Sequence, residues 1–154
     1  MRIWLATVDE LPIAAGLLGE FRNFFGRDTP VDAEMLVGVE RIAAEGSGEY
    51  LLAADAAGEV VGVCQLRFRW SIWTASDDAW LEDIFVRESA RGAGLGRALV
   101  EQAMEHARAR GCARIELDVD EANTAALALY HGLGFSGEIK AEQRSLLLGR
   151  RLER

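Results

Sequence analysis

The sequence predicts one α/β domain over residues 1–154, a mixed sheet with helices packed on it in the order βααβββαβαββ. Three observations lead there. Runs of strand length recur between longer runs whose apolar residues fall at helical spacing. Two strand-like runs are separated only by Ala56-Ala57-Gly58, which signals a hairpin. Further on, a buried strand feeds a glycine-rich turn that opens a helix.

In chain order, Arg2 to Ala6 is the first strand. A helix follows, capped by Thr7 or Asp9, with Pro12 tolerated in its first turn. Its apolar face is Ile13, Leu17, Leu18, Phe21, Phe24 and Phe25. Asp32 to Glu45 is a second helix, closed by Gly46. Glu49 to Ala54 and Glu59 to Arg69 are the hairpin strands, Trp70 to Asp78 a polar and aromatic loop, and Trp80 to Val86 the next strand. Gly94 to Arg110 is a helix with Leu95, Leu99, Ala103 and Ala107 on one side and Gly111 at its end. Arg114 to Val119 is a strand, and Thr124 to Leu133 a shorter helix stopped by Gly134. Phe135 to Ile139 and Arg144 to Leu148 close the sheet.

The chain is long enough to bury a core, and its make-up, 50% hydrophobic and 27% charged, is that of a globular protein. A net charge of −8 argues against nucleic-acid binding, which needs clustered Lys and Arg. The acidity suits a cationic small molecule, and equally plain solubility. Cys64 and Cys112 form neither a disulfide framework nor a metal spacing, and two His add too little, so no metal is expected. The opening residues lack the apolar core of a signal peptide, and no run approaches membrane-spanning length. The expectation is a cytoplasmic protein with no membrane partner.

The chemistry-bearing stretch is Leu81-Glu82-Asp83-Ile84-Phe85-Val86 followed by Arg91-Gly92-Ala93-Gly94-Leu95-Gly96-Arg97. Glycines let a backbone approach a ligand closely, and free N–H groups at a helix start favour an anion such as pyrophosphate. Arg91 and Arg97 add charge at the rim. The run is not a P-loop, which needs Gly-x-x-x-x-Gly-Lys-[Ser/Thr]. Nor does it complete Gly-x-Gly-x-x-Gly, because Arg97 stands at the last position. A glycine-rich turn that merely joins strand to helix leaves the same pattern.

Arg91-Gly92-Ala93-Gly94-Leu95-Gly96 resembles the pyrophosphate loop [Gln/Arg]-x-x-Gly-x-[Gly/Ala] of the GNAT acetyltransferase superfamily. Asn123, Ala126, Leu129-Tyr130 and Gly134-Phe135 are similar to the second CoA-contacting motif of that family. Arg87-Glu88-Ser89-Ala90 departs from it where many members carry a Pro. The resemblance implies the GNAT fold with a central sheet splayed between its fourth and fifth strands, acetyl-CoA as the donor, and a homodimer. It also implies that Ile84, Phe85 and Val86 offer backbone groups to the pantetheine arm, while Gly92 to Arg97 hold pyrophosphate. Asn123 would bond the same arm, and it is equally a helix cap.

Acetyl transfer needs an amine freed of its proton, and an alkyl ammonium has a pKa near ~10, so a base is required. By resemblance Glu82 is that base or a ligand of the ammonium. Strand alternation sends Asp83 to the opposite face. By the same motif Tyr130 is the acid for the leaving thiolate; its other reading is a core residue with a polar tip. Neither Cys is placed as a nucleophile, so the amine attacks directly.

Trp80 to Val86 is similar to the polyamine and thialysine acetyltransferase branch, with Trp70 and Trp73 just upstream. Trp73 and Glu82 are therefore candidate acceptor ligands, since aromatic faces and carboxylates suit a cation; the other reading of Trp70 and Trp73 is a cover for the sheet edge or a dimer contact. Glu20 and Phe24 join the candidates because the resemblance implies that the N-terminal helices shape the acceptor pocket. A polyamine or lysine analogue is the expected acceptor. A protein N-terminus or Lys, a free amino acid or antibiotic amine, a silent CoA-binding sensor and a nucleotide-binding regulatory domain are the alternatives.

Overall fold

A computed structural model of the chain describes residues 1–137, with the backbone of 139–140 and 143–144. Its contacts gather into two compact units, Met1–Asp118 and Val119–Arg154.

The first unit holds β1 (Arg2–Leu5), α1 (Leu11–Phe24), α2 (Asp32–Ala44), β2 (Gly48–Ala54), β3 (Val60–Ser71), β4 (Ser76–Val86), α3 (Leu95–Ala109) and β5 (Arg114–Glu116). The strands lie side by side in that order, antiparallel except for the parallel pair β4–β5. The expected mixed α/β architecture is present. Before α1 the Glu10 carboxylate reaches back to the Thr7 N–H at 2.8 Å, closing a capping box on one 3-10 turn. Pro12 sits in the first turn of α1, where its missing N–H costs no bond.

The sheet is covered on both sides. Tyr50, Leu52, Val63 and Phe85 meet Leu11, Ala14, Leu17, Leu18 and Val39 of α1 and α2. The alternate residues Leu51, Ala53, Cys64 and Leu66 are also buried, and α3, which packs on β2, β3 and β4, buries Leu95, Leu99, Val100, Ala103 and Ala107. Each Leu or Val among them contributes about 1.5–3 kcal/mol on burial. The end of α3 is tied down by Arg110, which bonds Glu49 at 2.7 Å and stacks on Phe68 at 4.0 Å.

Two expectations are corrected here. The buried stripe of α1 is Leu11, Ala14, Ala15, Leu17, Leu18 and Gly19, so Ile13, Phe24 and Phe25 are exposed. The stripe runs through Leu11, Leu17 and Leu18 with Ala14, Ala15 and Gly19 between and beside them, and Ile13 and Phe24 fall on the other side of the helix. Trp70 to Asp78 is not a loop: β3 runs to Ser71, β4 begins at Ser76, and only Ile72 to Ala75 turn between them. Asp78 is 2% exposed, and its carboxylate accepts from Arg114 at 2.9 and 3.1 Å. A charged residue reads as loop only while its strand partner, 36 positions away, is unseen.

The second unit contains α4 (Thr124–His131) and the antiparallel pair β6 (Ile139–Lys140) and β7 (Gln143–Arg144). Helix α4 ends two residues before the expected Leu133, and Phe135 to Gly137 is irregular. Residues 145–148 of the expected last strand lie outside the described residues.

Candidate active site

Three strands bring polar side chains to one cavity. Tyr50 of β2 pairs across to Gln65 of β3, and Gln65 pairs across to Asp83 of β4. The three form a polar rung on the sheet face that also carries Leu52, Val63 and Phe85. Together with Leu18, Phe21, Met35 and Val39 they line a cavity of about 310 Å³ between the sheet and α1 and α2. That lies at the lower end of the range for small-ligand clefts, ~300–1,000 Å³.

The rung is short of partners. Tyr50 is 2% exposed, and its hydroxyl has no hydrogen bond among the described residues. Such an orphan costs ~1–3 kcal/mol until a ligand or water satisfies it. Burial, with the neighbouring Asp83 charge adding and Arg67 opposing, pushes the Tyr50 phenol up to about 12, so it stays a donor at neutral pH. Among the described residues no cation or donor meets the Asp83 carboxylate, which is half-buried. Burial first, then the charges of Glu82 and Asp118, raise Asp83 from 3.8 to about 6.

A β-bulge decides which carboxylate faces the cavity. Leu66 pairs with Leu81, but its neighbour Gln65 pairs with Asp83, which leaves Glu82 as the extra residue. Had the ladder run on regularly from Leu66–Leu81, Glu82 would stand opposite Gln65. With the bulge, Asp83 takes that place, and Glu82 is exposed and does not line the cavity. The two acids do part company, but through the bulge and not through simple alternation.

The other edge of β4 is set up differently. Its ladder with β5 consists of Asp78–Arg114, Ala79–Ile115 and Trp80–Glu116. From Leu81 to Val86, including Ile84 and Phe85, no ladder partner on that edge is found among the described residues. A strand edge of this kind has backbone groups to offer an extended ligand. The chain then turns through Arg91, Gly92, Ala93 and Gly94 into Leu95, Gly96 and Arg97 of α3. Gly92 and Gly94 have φ of +79° and +83°, which a side chain disfavours, and the space where their Cβ atoms would lie is empty to 4 Å. An open cradle before the first N–H groups of a 15-residue helix fits a pyrophosphate. Arg97 is paired with Glu101 at 2.9 Å. Arg91 donates to the Val86 carbonyl at 2.9 Å, and its guanidinium lies 4.9 Å from the centre of the Phe24 ring.

In the second unit Asn123 caps α4, its side-chain oxygen accepting the Ala126 N–H at 3.1 Å. The capping role foreseen for it is therefore realised. Tyr130, in the last turn of α4, is buried with its ring 5.8 Å from that of Phe135.

The remaining acceptor candidates lie elsewhere. Glu20 binds Arg87 through two bonds of 2.7 and 2.8 Å and is not in the cavity wall. Phe24 is exposed beneath Arg91. Trp73 is 91% exposed in the β3–β4 turn. Burial raises the thiols of Cys64 and Cys112, which leaves them poor nucleophiles at neutral pH. Among the described residues no cluster of His, Cys, Asp and Glu could hold a metal, and no helix is long and apolar enough to cross a membrane. Sequence reasoning missed Tyr50, Gln65 and Asp83 as a group. The available signal was a polar residue inside each of two apolar strand runs.

Comparison with known proteins bears on the fold and the family. The model of the acetyltransferase (GNAT) family matches residues 18–135. A mycothiol acetyltransferase of Salinispora tropica is 40% identical over 92 residues, 56% of this chain; the match spans 28% of that protein's length. A thialysine N-epsilon-acetyltransferase of Bos taurus is 31% identical over 71% of both chains. An L-methionine sulfoximine/L-methionine sulfone acetyltransferase of Pseudomonas aeruginosa is 30% identical over 96% of this chain and 87% of its own. Among solved structures, a candidate acetyltransferase of Arthrobacter sp. FB24 has a TM-score of 0.87 at 29% identity, covering 99% of this chain and 96% of that one.

Proposed function

The chain belongs to the acetyltransferase (GNAT) family, and from that premise we propose that it is an N-acetyltransferase moving an acetyl group from acetyl-CoA to a primary amine of a small molecule. The observation that carries this reading is the division of labour on β4. One edge of the strand is open beside the Gly92–Gly94 cradle, and one face carries Asp83 to the wall of the cavity. A single strand thus serves two ligands.

Acetyl-CoA, when bound, supplies an activated thioester. The open edge at Ile84, Phe85 and Val86 offers backbone groups to its pantetheine arm, and the N–H groups from Gly92 to Arg97 hold its pyrophosphate, with Asn123 and Ala126 assigned to the same ligand by their motif. Asp83 accepts a proton from the acceptor ammonium, the role that the sequence pattern suggested for Glu82. Its elevated pKa makes it a better base than an ordinary carboxylate while leaving it ionised at neutral pH. The neutral nitrogen then bonds the acyl carbon, and the backbone N–H at Ile84 donates to the oxygen where charge gathers. Tyr130, by its motif, would protonate the sulfur that leaves with the bond pair; the proton shed by the acylated nitrogen as it becomes the amide would restore the phenol, and Asp83 would release its own proton to solvent. The size of the cavity supports a small acceptor, of which thialysine-like amines and polyamines are two classes. The same reading keeps the enzyme cytoplasmic and homodimeric.

The test is thiol release from acetyl-CoA across polyamines, lysine analogues, amino acids and short peptides, with Asp83→Asn and Glu82→Gln in parallel. Turnover with a small amine that Asp83→Asn abolishes supports the reading. No turnover and no acetyl-CoA binding by calorimetry would overturn it.

A further inference from the structure

The polar lining of the cavity is not of one sign. Besides Tyr50, Gln65 and Asp83 it includes Arg22, Arg27 and Glu34. Two of these are already committed. Arg22 bonds Asp32 and Asn23, each at 2.8 Å, and also the Pro30 carbonyl. Glu34 accepts the Val31 N–H at 3.0 Å and so caps α2. Arg27 is different: among the described residues its guanidinium has no ion pair and no hydrogen bond. The residues lining this one cavity therefore include a carboxylate lacking a cation, an exposed guanidinium lacking an anion, and a buried hydroxyl lacking any partner. The two opposite charges do not pair with each other.

Resting on the acetyltransferase reading above, we propose that the acceptor is a zwitterion of the amino-acid class. Its reacting amine sits on the Tyr50–Gln65–Asp83 rung, and its carboxylate pairs with Arg27. A polyamine would satisfy Asp83 but bring a second positive charge towards Arg27 and leave that guanidinium unmatched. The aliphatic and aromatic walls, Leu18, Phe21, Met35 and Val39, suit the carbon chain of such an acceptor. A guanidinium binds carboxylate through a planar fork, so this contact also selects orientation.

The experiment compares acceptors that differ only in the carboxylate: L-lysine against cadaverine, and L-methionine against 3-(methylthio)propylamine, each with acetyl-CoA. Wild-type kcat/KM is expected to favour the acid of at least one pair by about tenfold or more, the size of one charge-assisted hydrogen bond. Arg27→Gln lowers that ratio about tenfold, and Arg27→Lys recovers part of it. Equal rates within both pairs, a preference for the decarboxylated amine, or a ratio that survives Arg27→Gln would each overturn the zwitterion and leave the acetyltransferase reading standing. No turnover of any of these acceptors would overturn the zwitterion, and no turnover together with no acetyl-CoA binding by calorimetry would overturn both.

Discussion

Replacing Asp83 by Asn removes a charge that the fold holds at a cost. Asp83 titrates at about 6 in the folded protein, against 3.8 for an ordinary Asp, mainly because burial disfavours its ionised form. A folded value above the unfolded one means that its contribution to stability is whole below pH 3.8 and is lost as pH rises through about 6. The displacement is worth about 3 kcal/mol. Asn has nearly the same shape and no titration, so the variant escapes that loss. Asp83→Asn should therefore be more stable than wild type by up to about 3 kcal/mol at pH ~8, and nearly equal to it at pH ~4. In a chain of this size that is roughly 6–12 °C in Tm. Urea unfolding of both proteins across this pH range measures the difference directly. Turnover should fall about 100-fold or more in the same variant, because the base is gone. A stability difference that stays flat with pH, or that grows towards acid, would refute the desolvation argument. Full activity in the variant would refute the role given to Asp83.

Three further outcomes follow from the same geometry. Glu82→Gln takes a negative charge away from Asp83, so the acid limb of the pH–rate profile should move to lower pH; a loss of turnover as deep as that of Asp83→Asn would return the base role to Glu82. Gly94→Ala forces a side chain onto a residue with φ of +83°, costing roughly 1–2 kcal/mol. It should weaken acetyl-CoA binding about tenfold by calorimetry, and unchanged affinity would remove the cradle from the donor site. Tyr130→Phe should lower turnover with little change in acetyl-CoA affinity, and turnover equal to wild type at every pH would take Tyr130 out of the mechanism.

What was legible in the sequence was local. Gly46 and Gly111 both end helices with positive φ, Glu10 boxes Thr7, and the run from Arg91 to Gly96 announces a strand–turn–helix with an open backbone. These signals sit within a few residues of the structure that they specify. The parts that were not legible depend on partners far along the chain. The Glu82 bulge exists only in relation to β3, about 16 positions upstream, and nothing within Leu81 to Val86 encodes it. Asp78 is a strand residue because Arg114 neutralises it. The exposure of Phe24 and Phe25 follows from which side of α1 meets the sheet and α2. The rung of Tyr50, Gln65 and Asp83 needs two strand registers to be known together.

The bulge in β4 also says something about how such a site changes through descent. A point substitution in this strand alters the chemistry at one position. Loss of the single codon for Glu82 would leave Asp83 opposite Gln65 and Phe85 opposite Val63, because the residue removed is the one that has no ladder partner. Loss of the codon for Asp83 would put Glu82 in the same place and again leave Phe85 in the core. Elsewhere in β4 a one-residue change of length turns every later side chain to the other face. The strand can therefore gain or shed a residue at this one point, where the acid that faces the acceptor is chosen, while the rest of its reading frame stays locked by the core.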